Sequence, residues 1–172
     1  MAANTPTAGS NDGGLKTSFL TTITETSATD LEGVGTVRFQ AGKVYMWVKF
    51  DNGTGNLAAI ANYGAEWYGQ LGWSTRTVTR DSTDGQYVTA GIFTSVIADG
   101  EYGWIQIRGP VTLGTTLETT AIPNNAVMCG TDGAFTKFVG DGTIGTAPRF
   151  AVGQVLTATT ASAPVINLNI PW

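Results

Sequence analysis

Apolar and polar residues alternate most cleanly over residues 102–108, where Ile105 and Ile107 fall on one face of a strand and Trp104, Gln106 and Arg108 on the other. The run before it, residues 92–97, is apolar and β-branched. Asp99-Gly100 lies between the two, and this dipeptide is favoured in two-residue hairpin turns that need positive φ. The pattern predicts a β-hairpin at the centre of the core, ended by Gly109-Pro110 because proline cannot donate to a strand ladder. A second hairpin is predicted from VGTVRF (34–39) and VYMWVKF (44–50) around Gln40-Ala-Gly-Lys43. In its second strand Val44, Met46, Val48 and Phe50 share a core face, while Tyr45, Trp47 and Lys49 share an amphipathic outer face.

Shorter runs follow the same punctuation. Residues 111–117, 126–129, 134–139 and 149–156 read as strands, separated by Pro123-Asn-Asn125, Thr131-Asp-Gly133 and the glycine-rich stretch 140–145. Near the C-terminus Ile166, Leu168 and Ile170 alternate with Val165, Asn167 and Asn169, so that strand is expected to be half-buried. The first fourteen residues carry too little apolar area to offset their ordering entropy and are expected to be disordered alone. Leu15, Phe19, Leu20 and Ile23 then provide enough apolar surface to dock an extended segment. Thr22 and Glu25 match a capping box, but no helical period follows. The expected organisation is an extended N-terminal arm over residues 1–23 and a single β-rich domain over 24–172. The fold class is all-β, an antiparallel barrel or sandwich with Greek-key or meander links and at most a short helix near residues 57–62.

Composition narrows what such a domain can do. The 172 residues contain no histidine, which removes the usual general base, zinc ligand and physiological pH switch together. Cys129, the single cysteine, sits in the apolar run 126–129 and reads as a small buried hydrophobe. Nine basic against 13 acidic residues argue against a surface that neutralises phosphates or anionic lipid, so neither nucleic acid nor membrane is an expected partner. No signal-peptide pattern opens the chain, and export by the usual route is not expected. Only 13% of residues are charged, alongside five Trp and five Tyr, which points to some surface being covered by a partner.

Three motifs compete with a purely structural reading. Gly53-x-Gly55-x-x-Ala58 after a strand matches the dinucleotide-binding fingerprint literally. The match lacks the long amphipathic helix and following acidic strand that the chemistry requires, because Gly64 arrives after one or two turns. Trp67, Tyr68 and Trp73 could stack sugar rings, with core or interface packing as the alternative. Asp81 and Asp84 lack the spacing and further ligands of a calcium loop. Glu25, Glu32, Glu66, Glu101 and Glu118 include no two carboxylates that the sequence brings together as a glycosidase pair. The expectation is therefore no catalytic residue, no metal and no cofactor.

ADGEYGWIQIRGPV at 98–111, GQVLTATTASA at 153–163 and the ending Pro171-Trp172 together resemble the capsid decoration proteins of tailed bacteriophages, also called cement or head-stabilisation proteins. The resemblance covers the C-terminal half and the strand 44–50, and residues 66–80 depart from it. It implies a structural virion protein on the capsid exterior, made in the host cytoplasm, that binds the major capsid protein, assembles as a homotrimer and stabilises the head by bridging capsid subunits. The expected contact residues are Leu15, Phe19, Ile23, Tyr45, Trp47, Trp67, Trp73, Trp104 and Trp172. The competing expectation is a receptor- or glycan-binding virion module of the tail-fibre kind.

Overall fold

A computed structural model describes residues 18–114, 123–138, 151–157 and 164–170. Among these residues the chain is all-β: strands β1 (Thr26–Ser27), β2 (Val37–Gln40), β3 (Lys43–Phe50), β4 (Gly64–Tyr68), β5 (Thr77–Thr79), β6 (Gly85–Phe93), β7 (Tyr102–Thr112), β8 (Ala126–Cys129), β9 (Phe135–Lys137), β10 (Gly153–Thr157) and β11 (Val165–Asn169). The sheet is mixed. β3 and β5 run parallel, and all other pairs are antiparallel.

Five of these strands close on themselves: β3 pairs β5, β5 pairs β4, β4 pairs β6, β6 pairs β7, and β7 returns to β3. Closure removes the free edges that an open sheet would expose. The inward side chains form one core, including Met46, Val48, Phe50, Val78, Phe93, Ile105 and Ile107. Phe50 and Phe93 meet edge to face at 5.5 Å. Beyond β7 the sheet continues through β11, β10, β8 and β9. Its apolar face builds a second core from Val111, Val127, Phe135, Val155, Ile166 and Leu168, with Cys129 buried beside them. The alternation expected over 165–170 holds, with Ile166, Leu168 and Ile170 buried and Asn167 and Asn169 exposed.

β7 is the common partner. Along residues 102–108 β3 lies on one edge, and β1, β6 and β11 follow one another along the other. β6 and β7 pair antiparallel as the predicted central hairpin requires, but the two-residue connection expected between them is corrected. β6 ends at Phe93 and meets β7 only at Ile92↔Gln106 and Phe93↔Ile105. Residues 94–101 form a loop in which Ile97 is buried in the barrel core and packs against Gly103. Asp99-Gly100 still turns the chain, with the Glu101 N–H bonded to the Ala98 carbonyl, but only Gly100 has positive φ. The loop bonds to the end of β3: Gly100 donates to the Phe50 carbonyl and Phe50 to the Glu101 carbonyl. A run of consecutive apolar residues does not distinguish a buried strand from a buried loop.

Gly109-Pro110 does not end the strand. Bonds from Ile170 N–H to Ile107 O and from Leu113 N–H to Pro164 O aim the odd-numbered residues at β11. Pro110 therefore turns its nitrogen away from that partner, and the missing donor costs no bond there. The short helix near 57–62 is absent. A single helical turn, α1, lies at Gly72–Thr75 instead, and a 3₁₀ turn at Thr131–Gly133 links β8 to β9 as a hairpin.

The hairpin of β2 and β3 is as predicted, with Gln40 opposite Lys43 and both intervening residues at positive φ, Ala41 at 51° and Gly42 at 75°. That is the conformation of a type I′ turn, which Gly adopts freely and Ala only under strain. Replacing Ala41→Asn is expected to raise unfolding free energy by roughly 1 kcal/mol, because Asn tolerates the left-handed region. Urea denaturation of the two proteins checks this, and an unchanged midpoint would count against strain at Ala41.

Candidate functional site

The outer face of the barrel carries the aromatic residues that the alternation placed there, but the chain covers them itself. Tyr45, Trp47 and Trp104 form a third buried cluster, and Trp47 and Trp104 have no exposed surface. Their expected exposure is thus corrected. The two indoles meet at 5.2 Å edge to face, Tyr102 stacks on Trp47 at 6.5 Å, and Phe19 meets Trp104 at 5.7 Å. Phe19 and Ile23 are partly buried against this cluster. Burial raises the Tyr45 phenol above its ordinary pKa, with the nearby Arg38 charge working in the opposite direction.

Residues 18–32 form the cover, a strap whose two ends are tied together by one carboxylate. Glu32 Oε1 accepts the Leu20 N–H at 2.8 Å, the Thr21 N–H at 2.7 Å and the Thr21 hydroxyl at 2.7 Å. Trp104 Nε1 donates to Thr21 Oγ1 at 2.9 Å, so an indole, a hydroxyl and a carboxylate make one buried chain. Trp47 Nε1 donates to Asp30 Oδ1 at 2.9 Å. Arg38 donates to the Thr21 carbonyl at 2.8 Å while its guanidinium lies 4.6 Å above the Phe19 ring. Half of the expected capping box is present, since the Thr22 N–H donates to Glu25 Oε2, but only a single turn forms. Both indole N–H groups find partners in the strap, as buried aromatic donors require.

A second feature explains the glycines of the apparent dinucleotide fingerprint. Four consecutive backbone N–H groups each donate to a different aspartate: Asn52 to Asp99, Gly53 to Asp51, Thr54 to Asp84 and Gly55 to Asp81. A Cβ at Gly53 would sit 2.7 Å from the Asp84 carboxylate, and one at Gly55 would sit 2.6 Å from that of Asp81. The glycines make room for the protein's own carboxylates where a nucleotide site would need room for phosphate. Burial works to raise the Asp81 pKa, but hydrogen bonds donated by the Thr83 hydroxyl and N–H and by the Gly55 N–H outweigh it and hold the group below the ordinary value. Chiefly through Asp51, and also through burial and Asp84, Asp81 and Asp99, the cluster pushes the Tyr68 phenol upward.

The remaining expected contact residues are scattered. Trp67 is half-buried against the barrel core with the Arg76 guanidinium 5.6 Å from its ring, whereas Trp73 on α1 is 62% exposed beside Leu71 at 70%. Trp67, Tyr68 and Trp73 therefore do not share one degree of exposure, as a flat sugar platform would favour. Leu15 and Trp172 lie outside the described residues. Sequence reasoning missed Thr21, Glu32 and Asp99, whose hydrogen bonds span 11 to 83 residues and leave no local signal, and Asp51, whose bond to the Gly53 N–H is local. It also missed Leu71, whose Gly-Gln-Leu-Gly surroundings read as a turn. Among the described residues no group of three or more His, Cys, Asp or Glu side chains is arranged to hold a metal.

No family model and no curated protein sequence matches the chain. Among solved structures it is similar to the crystal structure of the head fiber gp8.5 N base in bacteriophage phi29, with 8% identity and a TM-score of 0.48. The likeness covers 74% of this chain and 94% of that one. A likeness of that degree does not carry function across.

Glu32→Ala should cost roughly 2 kcal/mol or more, because two backbone donors and a hydroxyl lose a charged acceptor. Tryptophan emission should shift to the red as Trp47 and Trp104 meet water, and an unshifted spectrum would show that the strap holds without Glu32. Because Asp81 titrates lower in the folded protein than the ordinary 3.8, its stabilisation is full above that pH and is lost as pH falls through the folded value. Asp81→Asn should therefore be destabilised at pH 7 and lose less further stability than the parent between pH 5 and about pH 2. Denaturation midpoints across that range measure the difference.

Proposed function

We propose that this chain is a structural protein of a phage virion that binds the outside of the head and stabilises it by bridging capsid subunits. The reading is supported by the sequence resemblance to capsid decoration proteins. The observation that carries it further is the strap: residues 19–23 are fixed on the barrel by Glu32, Arg38 and Trp104. Any anchor supplied by the residues before 18 would therefore start from one defined point on the domain. Such an anchor adds buried area across capsomer seams, and binding only to the assembled shell stabilises it by mass action. The partners in this proposal are the major capsid protein and further copies of this chain as a trimer. No catalysis, cofactor, nucleic acid or membrane enters it. A second reading, a receptor- or glycan-binding virion module, is favoured by the exposure of Trp73.

The strap also fixes where a deletion should stop. Removing residues 1–23 would strip Phe19 and Ile23 from the buried aromatic cluster, so it would test stability and binding together. Removing residues 1–17 is expected to leave the melting temperature within about 2 °C of the parent, because surface changes are usually worth less than about 0.5 kcal/mol. Binding to expanded heads assembled without this protein should weaken at least tenfold. Equal binding by the shortened protein would show that the arm is no anchor, and binding to cells or glycans with none to heads would favour the second reading.

A further inference from the structure

The turn bearing α1 is built to hold its apolar side chains outward. Leu71 O accepts the N–H groups of Ser74 and Thr75 and also the hydroxyls of both, at 2.8 and 3.1 Å. Arg76 closes the turn in the left-handed region, with its N–H bonded to the Gly72 carbonyl. Gly72 lies flat against the sheet, where a Cβ would come within 2.8 Å of the Thr77 carbonyl and 2.9 Å of the Trp67 backbone. Leu71 and Trp73 are thus displayed at 70% and 62% exposure from a turn fixed at both ends. An aromatic side chain held in place loses little entropy on binding, which is why such residues dominate interface energies.

The same turn adjoins the aspartate loop. Gly69 donates to the Asp84 carbonyl at 2.9 Å, and Gly72 donates to the Gly69 carbonyl. Asp51, Asp81, Asp84 and Asp99 gather there around the backbone of residues 52–55, four of the chain's 13 acidic residues in one loop cluster. Lys49, Arg76 and Arg80 are the cations on the adjoining strands and turn, three against the four aspartates, so the region stays net negative. From this juxtaposition we infer that Leu71 and Trp73 form the docking face toward a protein surface presenting an apolar socket rimmed by Lys or Arg. On the reading proposed above, on which this rests, that surface belongs to the capsid shell. A protein fits better than a sugar, since the carboxylates already accept backbone N–H groups and act on a partner as charge more than as acceptors for hydroxyls.

The test is binding to expanded heads assembled without this protein, at 50 and 300 mM NaCl, for the full-length parent, Trp73→Ser, Leu71→Ser and the control Phe39→Ser. Phe39 is 58% exposed on β2, away from the turn. Support is a loss of tenfold or more for Trp73→Ser, a smaller loss for Leu71→Ser and none for Phe39→Ser. Parent binding should also weaken at the higher salt, and all melting temperatures should stay unchanged. Parent-like binding by both turn variants would overturn the docking face and leave the capsid reading standing. Failure of the parent itself to bind heads would overturn both. Unchanged head binding with loss of binding to purified bacterial surface polysaccharide would overturn the inference in favour of a glycan site.

Discussion

Gln106 sits where the structure changes direction. Below it β7 is a stave of the closed barrel, and above it β7 is the first strand of the second sheet. The change is a bulge: Tyr45 faces Gln106 and Val44 faces Arg108, so Ile107 is the extra residue against β3. A bulge leaves carbonyls outside the regular ladder, and here they lie in the half-exposed stretch of β7 between the two cores. The Gln106 amide donates to them, with Nε2 at 3.0, 3.1 and 3.2 Å from the carbonyls of Arg108, Gly109 and Pro110. That buried side chain lets one strand serve both cores, since Ile105 and Ile107 pack inside the barrel while Val111 packs in the second cluster.

Because β7 is shared, the other elements are placed relative to it. Its outer face puts Trp104 beside Trp47 of β3, producing a patch too apolar to leave in water. Burying side chains of this size stabilises by about 1.5–3 kcal/mol each or more. The strap covers the patch, and its cost is a carboxylate taken out of water. Glu32 remains tolerable there because three donors converge on one of its oxygens. The aspartate loop follows the same logic. Asp81 is almost fully buried, yet bonds from the Gly55 and Thr83 N–H groups and the Thr83 hydroxyl keep it ionised. In both places a negative charge organises irregular backbone that no strand ladder could satisfy.

These arrangements decide which apolar surface is left for a partner. The aromatic side chains that alternation set on the outer face of β3 and β7 are spent on the protein's own stability. What remains outward among the described residues is dispersed over Leu20, Leu31 and Val34 in and beside the strap, Phe39, Ile60, Val88, Val96 and Leu156, and Leu71 and Trp73. Of these, Leu71 and Trp73 share one turn that is fixed at both ends and adjoins the aspartate loop.

The chain's local patterns by themselves determined the all-β class, the β2–β3 hairpin with its two-residue turn, the core face Val44, Met46, Val48 and Phe50, and the buried alternation of β11. Each depends on the two-residue period of a strand or on backbone preferences within four residues, and both are written in adjacent positions. They also made Cys129 a buried hydrophobe. Only the tertiary structure decided that β3 pairs β7, that β3 and β5 run parallel to close the barrel, and that Ile97 plugs the core from a loop. It alone placed Glu32 under Thr21 and four aspartates on four successive N–H groups. Apart from the local Asp51 to Gly53 bond, those hydrogen bonds join residues 11 to 47 positions apart, and their free energy comes from burial and from satisfying buried polar groups, which is fixed once strands have closed around a common centre.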